Sequence, residues 1–115
     1  MSDFRIRPWQ PEDRPALKEL WRVAFGDSDQ FIETFFDLFL REDACVTAEA
    51  DGKIVSAMYI LPTNGLYLYR RNIPSTGYTY ALATLPEYRG RGIGRAVYRA
   101  ASDKALETGG AAGVL

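Results

Sequence analysis

Glycine and arginine alternate in the segment Arg89-Gly90-Arg91-Gly92-Ile93-Gly94. From Pro86 to Arg99 there are four arginines and only one acidic residue, Glu87, in a chain whose net charge is −1. Glycines leave the backbone without side chains that would hold a ligand away. Successive N–H groups at the start of a helix, backed by the positive end of the helix dipole, bind phosphate. This positive segment therefore predicts a phosphate-binding site.

The spacing of the glycines separates the known phosphate motifs. A dinucleotide fingerprint needs G-x-G-x-x-G, but Arg95 or Val97 stands at the third glycine, depending on where the count begins. A P-loop needs Gly-Lys-Ser/Thr, which the chain lacks. The pattern R/Q-x-x-G-x-G/A fits at every fixed position. A purely structural turn is less favoured, because it needs one glycine and no clustered arginines.

Length and composition indicate one globular domain. The chain has 115 residues, 47% hydrophobic and 25% charged, which is typical of a water-soluble domain with a single core. No apolar run approaches the ~20 residues of a membrane span, and the N-terminal residues do not resemble a signal peptide. We therefore expect a cytoplasmic protein with no membrane association.

The absence of histidine excludes several kinds of chemistry. Ser-His-Asp and Cys-His catalysis and histidine-ligated metals are ruled out, and no metal is expected. The single cysteine, Cys45, lies in an apolar run and is predicted to be a buried hydrophobe rather than a nucleophile. The near-neutral charge argues against a nucleic-acid partner.

The N-terminal half predicts a strand followed by two helices. Phe4–Arg7 has the alternation of a short edge strand, and apolar residues at helical spacing predict a helix from Asp13 to Gly26. Asp27-Ser28-Asp29-Gln30 has the form of a capping box and predicts a second helix to about Leu40. The phenylalanines of this second helix cover more than one face, so part of it is expected to wall an acceptor pocket.

The rest of the chain predicts strands around one more helix. Ala44–Ala50 and Lys53–Leu61 are joined by Asp51-Gly52, a two-residue hairpin signal. A long third strand is expected to continue through Leu66–Tyr69 after a bend near Pro62–Gly65. It would turn at Arg70-Arg71-Asn72 and pair with a long fourth strand that ends before Pro86. A helix with a face of small residues follows the glycine loop, and Ala111–Leu115 predicts a fifth strand.

The segment A-L-A-T-L-P-E-Y-R-G-R-G-I-G (81–94), with the helix after it, resembles the GNAT superfamily of acetyl-CoA-dependent N-acetyltransferases. The resemblance implies an α/β (α+β) fold with a mixed, mostly antiparallel sheet flanked by helices, in the order β-α-α-β-β-β-α-β. Members normally continue with a helix and two strands. Residues 1–115 are therefore expected to form a single GNAT domain that lacks its C-terminal part, and association as a homodimer would cover the open sheet edge.

The resemblance also implies a site for acetyl-CoA as co-substrate. The backbone before Pro86 would hold the pantetheine arm, and the glycine loop would hold the pyrophosphate. A backbone N–H near Leu82 would stabilise the oxyanion formed from the thioester. The residues implied for cofactor binding are Leu82, Ala83, Thr84, Arg89, Gly90, Arg91, Gly92, Ile93, Gly94 and Arg95.

The residue that deprotonates the amine is not evident. Many relatives carry a glutamate on the fourth strand, but Tyr78–Leu85 contains no acid. Tyr80 is the candidate catalytic side chain, because with Thr84 it could order a water; Glu33 or Asp37 could approach from the second helix. A looser resemblance to acetyltransferases of the enhanced-intracellular-survival type adds candidate pocket residues: Asp27, Asp29, Glu33, Tyr59 and Tyr80.

Three functions stay open at this point. The first is an N-acetyltransferase in which a primary amine, of a small molecule or a peptide, attacks acetyl-CoA directly in a ternary complex. The second is a non-catalytic acyl-CoA-binding regulatory module. The third is a half-domain that a partner chain completes.

Overall fold

A computed structural model describes residues 4–41, 44–62, 67–68, 71–72, 77–107 and 113–114. The strands are β1 (Arg5–Pro8), β2 (Cys45–Ala50), β3 (Lys53–Pro62), β4 (Tyr67–Leu68), β5 (Arg71–Asn72), β6 (Gly77–Thr84) and β7 (Gly113–Val114). The α-helices are α1 (Arg14–Phe25), α2 (Asp29–Phe39) and α3 (Ile93–Glu107). Single 3-10 turns at Pro11–Asp13 and Pro86–Tyr88 precede α1 and the glycine loop.

The main sheet has five strands in the order β1-β2-β3-β6-β7. Neighbours from β1 to β6 run antiparallel, whereas β7 runs parallel to β6. The predicted mixed, mostly antiparallel sheet is therefore confirmed, and the predicted fourth and fifth strands correspond to β6 and β7. The hairpin between β2 and β3 is confirmed as well, since Asp51 and Gly52 both have positive φ, 54° and 78°.

Apolar side chains fill both faces of the sheet. Helices α1 and α2 cover one face, where Leu17, Trp21 and Phe36 pack against β2 and β3. Helix α3 covers the other face with Ile93, Val97 and Ala101, all fully buried. The small alanines let α3 lie close to the strands, as the sequence predicted. Fully burying each larger aliphatic side chain contributes about 1.5–3 kcal/mol.

The first turn of α2 differs from the prediction. The capping residue is Ser28, whose hydroxyl accepts a hydrogen bond from the Phe31 N–H at 3.1 Å, and the helix begins at Asp29. Asp27, which was predicted to cap the helix, instead accepts a hydrogen bond from the Trp21 indole N–H at 2.8 Å. An indole next to the helix start was a competing donor that the local sequence pattern does not reveal.

The predicted long third strand is confirmed in part. Tyr67–Leu68 is extended and pairs antiparallel with the returning chain, as predicted, but this pairing forms a separate two-stranded sheet. Arg71 and Asn72 lie in strand β5 and not in the predicted turn. Most of the predicted bend, at residues 63–65, and most of the return segment, at 73–76, lie outside the described residues.

Candidate functional site

A β-bulge interrupts β6 next to the motif. Ala57 pairs with Ala83 and Tyr59 with Tyr80, so Ala81 and Leu82 together oppose Met58. Ala81 has φ of 60°, which is the left-handed region that a residue with a side chain rarely adopts. Such strain persists only where the surrounding structure enforces it. The register of β6 against β3 therefore shifts by one residue at Ala81–Leu82.

The bulge follows the segment of β6 that pairs with β7. The ladder between β6 and β7 joins Tyr78 to Gly113 and Thr79 to Val114. Beyond this segment β6 continues beside β3 as far as Thr84. The predicted pantetheine residues, Leu82–Thr84, lie in that continuation. Leu82 is partly exposed, at 37%.

Buried hydroxyl groups fix the end of β6. The Ser56 hydroxyl donates to the Ala83 carbonyl at 2.9 Å and lies 2.9 Å from the Thr84 hydroxyl. The Leu85 N–H donates to the Val55 carbonyl at 2.8 Å. Because Ser56 is fully buried, these bonds set the position of Thr84 firmly.

Two different physical constraints explain why the motif has glycine at three positions. Gly90 and Gly92 have φ of 80° and 82°, and the space around them is open, so glycine is needed there for conformation. The φ of Gly94 is not positive, but a Cβ atom there would lie 3.1 Å from the Thr84 hydroxyl. Gly94 therefore permits the close approach of α3 to β6.

A pocket opens at the start of α3. Its volume is about 400 Å³, and it is lined by Thr84, Tyr88, Arg89, Gly90, Gly92, Gly94 and Arg95. The first intrahelical bond runs from the Ala96 N–H to the Gly92 carbonyl. The N–H groups of Ile93, Gly94 and Arg95 therefore have no acceptor within the helix. A pocket of this size at such a helix start can hold a pyrophosphate.

The side chain of Ile93, the first residue of α3, is fully buried between that helix and the sheet. Of the predicted cofactor residues, Ile93 can thus contribute to the loop only through its backbone. Its burial anchors the first turn of α3 to the core, which keeps the N–H groups of the loop in place.

The arginines of the motif have different surroundings. Arg89 donates through Nε to the Thr84 carbonyl at 3.1 Å, and so ties the loop to the end of β6. The guanidinium carbon of Arg91 lies 5.1 Å from the centre of the Tyr88 ring, within cation–π range. Arg95 is exposed at the pocket wall. Arg95 is thus placed to meet a phosphate, whereas Arg89 also has a structural role.

Tyr88 holds the loop to the far hairpin, and the sequence analysis missed it. Its side chain is 7% exposed, and its hydroxyl donates to the Asp51 carboxylate at 2.6 Å. The Lys53 ammonium lies 5.4 Å from the ring centre. The hydrogen bond to Asp51 is the main cause of a raised pKa of Tyr88, and burial raises this pKa further. No local signal joins two residues 37 positions apart.

Aromatic rings surround Tyr80 on the other side of the bulge. Tyr80 is half-buried; its ring stacks on Phe35 at 5.8 Å between centroids and lies 6.4 Å from Trp21. Phe31 is 47% exposed whereas Phe36 is buried, so the phenylalanines of α2 cover more than one face; that part of α2 walls an acceptor pocket stays a prediction. Tyr59, by contrast, is 3% exposed and belongs to the core, so the prediction that Tyr59 lines a pocket is wrong.

The candidate carboxylates are engaged elsewhere. Glu33 accepts from Arg14 at 2.7 Å and from Lys18 at 3.2 Å, and these bonds lower the pKa of Glu33. Asp37 accepts from Arg14 at 2.8 Å, and Asp29 lies 3.9 Å from Lys18. A carboxylate with a lowered pKa is a weak base. The structure therefore gives no support to Glu33 or Asp37 as the general base, or to an acidic pocket built from these groups.

Cys45 is fully buried, as predicted, and burial raises the pKa of its thiol. A buried thiol that resists ionisation is a poor nucleophile. Among the described residues there is no group of three or more acidic or cysteine side chains that could hold a metal ion. The same part of the chain contains no helix long and apolar enough to cross a membrane.

The bulged strand, the glycine loop and the start of α3 follow one another along the chain, and the last two line a pocket of a kind that can accept a phosphate group. The sequence profile of the Acetyltransferase (GNAT) family matches residues 5–115, nearly the whole chain. The chain belongs to this family. No curated protein sequence matches it significantly.

Solved structures support the same fold. An aminoglycoside N-acetyltransferase, AAC(6')-Iy, in complex with CoA, has a TM-score of 0.80 and 17% identity over 100% of this chain and 78% of its own. An N-acetyltransferase from Escherichia coli, in complex with CoA, has a TM-score of 0.78 and 24% identity; the match covers 100% of this chain and 63% of the other. For an acetyltransferase from Brucella melitensis with acetyl-CoA, the TM-score is 0.73 and the identity 20%, and the match covers 94% of this chain and 71% of the other. At these identities the likeness is one of fold.

Proposed function

We propose that this chain is an N-acetyltransferase that transfers an acetyl group from acetyl-CoA to a primary amine. The observation that carries the proposal is the succession of a bulged strand and a glycine loop with two positive-φ glycines, which leads into a pocket at the start of α3. Structures of similar fold contain CoA or acetyl-CoA, which supports the choice of ligand. The three elements follow one another in the order in which an extended ligand would meet them.

Acetyl-CoA would lie with its pyrophosphate at the N–H groups of Ile93, Gly94 and Arg95. Its pantetheine arm would run along the backbone of Leu82–Thr84, on the side of β6 opposite β3. The acetyl group then reaches the bulge at Ala81–Leu82. A backbone N–H at Leu82 would stabilise the oxyanion, since a fixed N–H dipole favours charge that develops on the carbonyl oxygen.

The reaction is direct attack within a ternary complex. The lone pair of the neutral amine forms a bond to the thioester carbonyl carbon, and the C–S bond then breaks. The nitrogen loses one proton and the departing thiolate gains one, which leaves an amide and free CoA. Burial of Cys45 supports this route over a covalent acetyl-cysteine intermediate. The hydroxyl of Tyr80, next to the bulge, is the candidate group for ordering the amine or its water.

Initial-rate kinetics test this reaction. The 115-residue chain is assayed for amine-dependent release of CoA thiol, over a matrix of acetyl-CoA and primary amine concentrations, with small amines and peptides as acceptors. Direct transfer gives intersecting double-reciprocal lines, and Cys45→Ala keeps the rate. Tyr80→Phe lowers kcat about tenfold or more while acetyl-CoA binding is unchanged. Parallel lines, or loss of turnover in Cys45→Ala with the fold intact, would contradict direct attack.

A non-catalytic acyl-CoA-binding module is the second candidate. It is favoured by one observation: Glu33 and Asp37, the acids considered for the base, are both bonded to Arg14. This candidate predicts tight binding of acetyl-CoA without thiol release on any amine. Amine-dependent turnover removes it.

A further inference from the structure

We propose that Arg95 and Arg99 form a subsite for the 3′-phosphate on the ribose of CoA. This inference rests on the function proposed above but concerns a different part of the ligand. Arg99 lies one helical turn beyond the glycine motif, which ends before Arg95, so the motif itself assigns Arg99 no role. Arg95 and Arg99 are four positions apart, so they lie on the same face of the helix, about 6 Å from each other along its axis.

A second pocket provides the space. Its volume is about 350 Å³, and it is lined by Gly92, Arg95, Ala96, Arg99, Ala100 and Asp103. It shares Gly92 and Arg95 with the pocket at the loop. The two pockets thus meet at the start of α3 and continue along the exposed face of that helix.

The order of the pockets matches the order of groups in CoA. The loop pocket begins at Thr84, the end of β6, where the pantetheine arm would leave the strand. With the pyrophosphate at the helix start, the nucleotide must continue away from β6. The second pocket offers such a continuation, because it shares Gly92 and Arg95 with the loop pocket. Since one ribose separates the pyrophosphate from the 3′-phosphate, that phosphate falls near Arg95 and Arg99.

Among the described residues, no carboxylate forms a salt bridge with the two arginines of this pocket. Salt bridges are formed by cations of β1 and α1, which include Arg5, Arg7, Arg14, Lys18 and Arg22. Arg95 and Arg99 are exposed and form no salt bridge with any other residue that the structure describes. Asp103 lies one turn beyond Arg99 in the same pocket, and its carboxylate would exclude a phosphate from that end. A phosphate is therefore favoured between the two arginines.

Calorimetric titration with CoA and with 3′-dephospho-CoA isolates this subsite, because the two ligands differ only in the 3′-phosphate. We expect the wild-type chain to bind CoA about tenfold more tightly, as charge-assisted bonds at a partly solvated site predict. In Arg99→Gln this preference should fall to about twofold or less, with dephospho-CoA affinity unchanged. Glutamine has nearly the helix propensity of arginine, so α3 should keep its stability.

Arg41→Gln is the matched control. It removes one exposed positive charge at the end of α2, on the other face of the sheet, and should keep the tenfold preference. Equal affinity of the wild-type chain for the two ligands would overturn the subsite, as would an equal loss for both ligands in Arg99→Gln. In both of those cases the proposed function stands, whereas failure of a folded chain to bind either ligand would overturn both proposals.

Discussion

Single residues join the first strand to the turn before α1. Arg7 donates to the Asp13 carboxylate at 2.8 and 3.0 Å, and the Gln10 N–H donates to the same carboxylate at 2.7 Å. The side chains of Arg7 and Asp13 are only 18% and 9% exposed. The bond from Arg7 lowers the pKa of Asp13, although burial opposes it. A pair so shielded from water contributes more than an exposed one.

Replacement of Asp13 by Asn should lower the free energy of unfolding at pH 7 by about 2 kcal/mol, because Arg7 loses a charged partner. The lowered pKa means that Asp13 stabilises the fold above its ordinary pKa, near 4, and that this contribution is lost as the pH falls through the lowered value. The difference between wild type and variant should therefore shrink below about pH 4. Urea unfolding across pH checks both points.

The control for this experiment is Asp37→Asn. Asp37 also accepts a hydrogen bond from an arginine, but its side chain is 72% exposed. Its loss should cost less than about 0.5 kcal/mol. Equal effects of the two substitutions, or an effect of Asp13→Asn that is independent of pH, would show that the shielded pair does not contribute as described.

At the scale of elements, the glycine loop depends on contacts from both of its flanks. Gly94 allows α3 to approach Thr84 at the end of β6, and Tyr88 bonds to Asp51 in the β2–β3 turn. The turn before the loop is thereby fixed to a hairpin on another part of the sheet. A loop that is held in place before its ligand arrives loses less conformational freedom on binding.

The bond between Tyr88 and Asp51 can be tested by a double-mutant cycle. Tyr88→Phe removes the hydroxyl, and Asp51→Gly removes the carboxylate at a position whose positive φ suits glycine. We expect a coupling of about 1–2 kcal/mol in the free energy of unfolding. Each single variant should also bind acetyl-CoA several-fold more weakly, as measured by calorimetry. Additive effects on stability would mean that the two groups do not interact.

Local rules account for the elements that the sequence predicted well. Asp51-Gly52 predicted the hairpin because both residues tolerate positive φ, and the small, evenly spaced residues of α3 predicted the buried face of that helix. The glycine loop before α3 was predicted from the spacing of its glycines, and two of them have the positive φ that favours glycine. These features depend on neighbours within a few positions, which a single sequence displays.

Contacts between distant segments account for what the sequence did not predict. The sequence pattern predicts Asp27 as the N-cap of α2, because it does not reveal that the indole of Trp21 donates to the same carboxylate. Glu33 was a candidate base because its pairing with Arg14 joins two helices. The strained φ of Ala81 is imposed by the register of β6 against β3, and nothing in the type of residue signals it.

In the part of the chain that the structure describes, charge is divided between the two sides of the sheet. On the side of α1 and α2, arginines and lysines pair with carboxylates, as in the contacts of Arg14 with Glu33 and Asp37. On the side of α3, Arg95 and Arg99 border pockets and have no carboxylate within salt-bridge distance among the described residues. This division supports a polyanionic ligand at α3 despite a net charge of −1.

The most direct test of this account is a calorimetric titration of the chain with acetyl-CoA, with Gly92→Asp and Gly26→Asp as paired variants. Both glycines have positive φ, 82° and 71°, and open space around them, so the backbone strain introduced is matched. Only Gly92 lies in the loop; Gly26 ends α1.

We predict that the wild-type chain and Gly26→Asp bind acetyl-CoA with affinities within about twofold, and that Gly92→Asp loses at least about tenfold, because its carboxylate would face the pyrophosphate. Equal affinities of all three chains, or no binding by a folded wild-type chain, would contradict the assignment of this loop as the acetyl-CoA site.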